Sequence, residues 1–113
     1  MHKYMMKGYQ NEVVSFFGYW PEFCDSSITN YKNDEDSIQL TLDYIDSDKK
    51  VKGTVFLRFT GVSENELSIY ESGSVIDKLQ ITEGDQYRVS IEPCYGLGGS
   101  FKCTSVVAEV ANA

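Results

Sequence analysis

A chain of 113 residues with ten Lys and Arg against seventeen Asp and Glu, a formal charge of −7, is long enough to bury a single core without metal or disulfide support. The same balance disfavours a nucleic-acid partner, because phosphate binding needs a lysine and arginine surface that these scattered cations do not supply. No stretch approaches the roughly 20 apolar residues of a membrane span, so no membrane partner is expected.

The segment Met1 to Gly8 has no long apolar run and does not read as a secretory leader. Cys24, Cys94 and Cys103 are odd in number and lack C-x-x-C spacing, and the single histidine, His2, lies in the tail, which argues against zinc. Free thiols in a cytoplasmic protein are the simpler account. A Cys94 to Cys103 bridge across a hairpin is conceivable.

In chain order, Tyr9, Val13, Phe16, Phe17 and Trp20 recur at the offsets of one narrow helical stripe. Asn11 is placed to cap the helix. Gly18 and Pro21 are placed to end it, which predicts two or three turns over about residues 10–18. Trp20, before a proline, is biased to extended geometry and would fold back as a lid while Phe23 enters the core. Ser26 to Tyr31 reads as a weak edge strand and Asn33 to Ser37 as an acidic turn.

Ile38, Leu40, Leu42 and Tyr44 alternate with polar residues, the clearest strand in the chain. Asp46 to Lys50 closes a hairpin, and Val51, Val55, Leu57 and Phe59 carry the return strand. Phe56 interrupts its polar face, predicting cover on both sides. Leu67 to Tyr70 reads as a short strand, and Val75 to Ile81 as another of ambiguous register. Glu83-Gly84-Asp85 is a tight turn. Tyr87, Val89 and Ile91 alternate again until Pro93, which should stop the strand, and Tyr95 to Gly99 reads as a flexible loop. From Phe101 to Val110 the apolar phase shifts, as at a bulge near Thr104-Ser105 or in a strand wedged between two apolar surfaces. The sum is a single, mostly β domain: an antiparallel sandwich or strongly curved sheet of about seven strands with one short N-terminal helix.

Chemistry is harder to find. With its only histidine in the tail, the chain lacks a base for a serine or cysteine nucleophile. The carboxylates cluster at Asp34-Glu35-Asp36 and at Asp43, Asp46 and Asp48, in turns and on wet strand faces where carboxylates are ordinarily solvated. The glycines at 96, 98 and 99 have neither the lysine nor the following helix of a phosphate loop. No enzyme, cofactor or metal site is therefore expected.

The segment Phe17-Gly18-Tyr19-Trp20-Pro21-Glu22-Phe23-Cys24-Asp25 resembles the signature Phe-Gly-Tyr-Trp-Pro-x-Phe-His-Asp of the immunity protein fifty family of bacterial polymorphic toxin systems. The likeness continues through Phe59-Thr60-Gly61-Val62, Val75 to Leu79, Tyr87-Arg88-Val89, Glu92 to Gly96 and Gly99 to Cys103. Cys24 stands where that family has histidine, and a small buried packing role fits it. Trp20, Pro21, Phe23, Cys24 and Asp25 are the structural part of the signature, with the Asp25 carboxylate expected to accept backbone N–H groups in the turn after the helix.

The resemblance implies an immunity protein that neutralises a cognate toxin by non-covalent binding in the producing cell. If the toxin is basic, an acidic surface would steer encounter, with Asp34, Glu35, Asp36, Asp46 and Asp48 as its first candidates. The alternative is a small β module for carbohydrate or peptide that uses Tyr19, Trp20 and Tyr95 as stacking rings. A third reading, a scaffold subunit, requires a stable oligomer.

Overall fold

A computed structural model describes residues 8–112; Met1 to Lys7, and with them His2, lie outside the described residues. A 3-10 turn at Gly8–Gln10 leads into helix α1, Asn11–Phe17. Asn11 is the first helical residue and not the cap, a position taken by Gln10 without a side-chain bond. The end is as expected: Gly18 adopts a φ of 92° and its N–H donates to the Val14 carbonyl at 2.7 Å, a left-handed closure that glycine makes without Cβ strain. Val13 and Phe17 are buried, and Tyr9, Phe16 and Trp20 pack against the same core.

Seven strands follow: β1 (Ser26–Asn33), β2 (Ser37–Asp46), β3 (Val51–Thr60), β4 (Val75–Thr82), β5 (Tyr87–Tyr95), β6 (Gly99–Cys103) and β7 (Ser105–Asn112). They form one antiparallel sheet in the order β6-β5-β4-β1-β2-β3-β7. A sandwich is thereby replaced by the curved alternative, and the reason is local. The two edge strands are consecutive in the chain and separated only by Thr104, so the sheet bends until its margins meet there. The Thr104 N–H and hydroxyl both donate to the Thr60 carbonyl, at 3.0 and 3.3 Å, and hold that corner. The phase shift read near Thr104 is this corner, with Phe101 and Cys103 buried before it and Val106 and Ala108 buried after it.

The inner face carries the alternating residues of β2 and β3, Ile38, Leu40, Leu42, Val55, Leu57 and Phe59, with Phe59 edge-on to Phe101 at 5.1 Å. Helix α1 covers one end of this face. Gly53 makes the approach possible, because a Cβ there would stand 2.8 Å from the Phe16 ring and 2.9 Å from that of Phe17.

Several sequence expectations are corrected. The presumed edge strand β1 lies in the middle of the sheet, although it pairs with β4 only through Ser26 and Ser27. Past that point Tyr70 takes over, stacked on Tyr31 at 5.0 Å with its hydroxyl donating to the Ile28 carbonyl at 3.3 Å. Leu67 to Tyr70 is not a strand: its half-buried residues are three apart, not two, and Ile69 is 87% exposed. The backbone from Ser63 to Ser68 instead runs along the free margin of β6 and the residue before it, with the N–H groups of Ser63, Glu66 and Ser68 donating to the carbonyls of Lys102, Ser100 and Gly98.

Pro93 does not stop β5. It sits opposite Ile76 at a register shift in β4, a bulge position where a missing N–H is tolerated. Phe56 is covered on one side only and is 42% exposed. The glycine-rich loop is pinned, with Leu97 buried and its N–H donating to the Ser74 hydroxyl at 3.0 Å. The three thiols are all free, so Cys94 and Cys103 form no bridge.

Candidate functional site

Beyond the helix the chain runs against β4, where the Leu79 N–H donates to the Glu22 carbonyl at 2.8 Å and the Asp25 N–H to the Ile76 carbonyl at 2.7 Å. Phe23 and Asp25 both take left-handed backbone angles, φ 60° and 65°. For a phenylalanine that costs about 1–2 kcal/mol. Complete burial of the ring, worth about 1.5–3 kcal/mol, offsets it. The ring sits edge-on to both Trp20 and Tyr44, at 5.5 Å from each. Trp20 is half-buried and edge-on to Tyr9 at 5.3 Å, the lid that its position before Pro21 predicts.

The same alternation overturns two expectations. With Phe23 turned inward, Cys24 is turned outward and exposed rather than packed in the core. Asp25 is exposed too, and among the described residues its carboxylate accepts no backbone hydrogen bond. Its role in the turn is conformational, since aspartate tolerates the left-handed region better than most residues.

These outward residues border a concavity of about 640 Å³, lined also by Tyr19, Asp43, Asp48 and Lys52. Asp25, Asp43, Asp46 and Asp48 set four carboxylates there against the Lys52 ammonium. The Tyr19 hydroxyl lies 2.6 Å from that of Tyr44 and also bonds the Asp46 carboxylate. The carboxylate can only accept, and either phenol can donate in the Tyr19–Tyr44 contact. Asp46, 7% exposed, further accepts the N–H groups of Asp48 and Lys49 at 3.0 and 3.2 Å. Lys49 reaches back to the Phe17 carbonyl at 2.9 Å, with its ammonium 5.3 Å from the Tyr19 ring centroid.

Titration follows the geometry. Desolvation first, then the bonds to Tyr44 and Asp46, push Tyr19 far above the usual phenol range. Desolvation pushes the Asp46 carboxyl up, but the Lys49 N–H, the Tyr19 hydroxyl and the Asp48 N–H outweigh it and hold that group below the usual carboxylate range. Cys24 is raised by desolvation and by Asp25 and Asp77, and Cys94 by the same causes, so neither thiol is activated as a nucleophile.

The structure divides the acidic candidates. Asp46 and Asp48 border the cleft, whereas Asp34, Glu35 and Asp36 lie in the β1–β2 turn at the other end of β2, about 30 Å away by strand geometry. Asp46 is occupied in closing the β2–β3 turn, which leaves Asp48 as the exposed member of that pair. Two further carboxylates, Asp25 and Asp43, join it. Asp43 is signalled by its outward parity on β2; nothing in the sequence signals the convergence of Asp25 upon it. The rings of the alternative reading are dispersed: Tyr19 borders the cleft, Trp20 is packed, and Tyr95 lies at the end of β5, 53% exposed and bonded to Glu71.

Among the described residues no group of three or more His, Cys, Asp and Glu side chains is arranged to hold a metal ion, and no helix is long and apolar enough to cross a membrane. Comparison with family models, with curated proteins and with solved structures finds no match for this chain.

Proposed function

We propose that the chain is an immunity protein that binds a cognate bacterial toxin non-covalently in the producing cell and occludes it. The observation that carries this reading is positional. Tyr19, Cys24 and Asp25, three residues of the stretch that resembles the immunity signature, border the same concavity as the outward carboxylates Asp43 and Asp48. Occlusion needs a preformed, charged, rigid surface and no reacting group, and the floor of this cleft is cross-braced by the Tyr44–Tyr19–Asp46 chain. A basic toxin surface is the complementary partner, since four carboxylates against one ammonium leave the cleft net negative, and a net field of that sign accelerates encounter with a cation.

The test is co-expression with the product of the neighbouring gene, followed by binding kinetics of Asp43→Lys and Asp48→Lys. Slower association, with a smaller dependence on added salt than that of wild type, is expected. Unchanged association would remove the cleft from the interface. Survival of cells that carry the toxin gene but lack this one would sink the immunity reading itself.

A further inference from the structure

The outer face of the β3–β7 pair carries a pattern that the toxin-binding reading does not use. Phe56 pairs with Glu109 and Arg58 with Val107 across the two strands, and all four side chains point away from the core. The result is a square of side chains with its apolar members, Phe56 and Val107, on one diagonal, 42% and 46% exposed. Arg58 and Glu109 occupy the other. They border a shallow concavity of about 270 Å³ together with Gln39 and Thr41. Among the described residues neither Arg58 nor Glu109 forms an ion pair.

We propose that this face docks on the same face of a second copy of the chain. The argument is charge complementarity under a two-fold axis. An axis along the Phe56–Val107 diagonal sets each apolar side chain against its own counterpart. The same rotation carries Glu109 over the other copy's Arg58, and Arg58 over its Glu109. Both charges, unpaired among the described residues, are satisfied at once, as a self-complementary patch requires. The strands of the two copies then cross at a steep angle, one of the standard ways for sheets to stack. A single-sign partner would satisfy only one of the two charges. The net charge of −7 on each copy opposes association, so the dimer is a weak one that forms with rising concentration.

Sedimentation velocity of the full chain, from about 1 μM to about 1 mM, reads this directly. A monomer that passes to a dimer is expected. Arg58→Glu should raise the dimer dissociation constant at least about tenfold by setting like charges together. Adding Glu109→Arg to the same chain should restore dimerisation. Circular dichroism checks folding, and Phe56→Thr, a strand-compatible change at an exposed position, provides a second loss-of-dimer variant should the charge reversal fold poorly. Wild-type chain that stays monomeric throughout, or a double reversal that fails to recover, overturns the proposal. So does a monomer whose binding of a basic protein is abolished by Glu109→Arg, which would give the face to that partner.

Discussion

The hydroxyl oxygens of Tyr19 and Tyr44 lie 2.6 Å apart, tying the first residue after the helix cap to an inward position of β2. Tyr44 is 9% exposed, so the Tyr19→Phe chain leaves its hydroxyl with little access to water. A loss of about 1 kcal/mol in urea unfolding is expected. The alkaline limb carries a second signature. A phenol whose value is raised in the folded state adds stability below its ordinary value near 10 and loses it as the pH climbs toward the raised one. Wild-type chain should therefore lose stability above about pH 10, and Tyr19→Phe should lose less. Parallel curves for the two chains would dissociate Tyr19 from this network.

Gly53 sits within a strand for steric reasons. A methyl group there would meet Phe16, Phe17 and the Val110 side chain at 2.8, 2.9 and 3.2 Å. Gly53→Ala should lift the helix off the sheet and cost about 1–3 kcal/mol, measured by chemical unfolding and by increased quenching of Trp20 fluorescence. Gly8→Ala, where nothing lies within 4 Å, is the control and should be close to neutral. Equal behaviour of the two variants would show that the helix does not depend on this contact.

The contrast between Gly53 and Trp20 shows what was legible in the chain. Periodicity places the helical stripe and β2, because each is a local pattern answered by one shared core. The tryptophan lid follows from one local rule about the residue before proline. No local pattern marks Gly53, whose role shows only once the helix is seen lying over it. Likewise the parity break at Thr104 is visible in the chain, but not that it joins opposite margins of one sheet, since pairing is a long-range property. Leu67 and Tyr70 misled for the opposite reason: they are apolar and close together, yet their partners, β6 and Tyr31, are remote in sequence. The cleft was half legible. Asp43 and Asp48 are outward by parity and turn position, whereas Cys24 and Asp25 face outward only because Phe23 and Asp25 take left-handed angles that no composition rule foretells.

Asp46 predicts an acid dependence. Its carboxyl is held below the usual range in the fold, so it adds stability above the unfolded value near 3.9, and that stability drains away as the pH falls through the folded value. Asp46→Asn keeps an oxygen that can accept in the turn but has no charge to lose. Its denaturation midpoint should fall less steeply than that of wild type between about pH 5 and pH 2. Identical slopes would assign the acid sensitivity to other carboxylates.

Glu12 guards the open margin of the sheet. Its carboxylate accepts the Val110 N–H at 3.0 Å, filling a backbone donor that β7, as an edge strand, would otherwise present to solvent or to another chain. It also lies in the first turn of α1, where negative charge opposes the positive end of the helix dipole. Glu12→Ala removes both effects, and the Val110 amide should exchange about fivefold faster, corresponding to about 1 kcal/mol of local stability. Glu12→Gln retains an acceptor oxygen and loses only the charge, so its exchange should fall between the two. If Val110 exchanges at one rate in all three chains, the contact does not protect the edge, and the closeness of α1 to β7 must rest on the packing of its aromatic face alone.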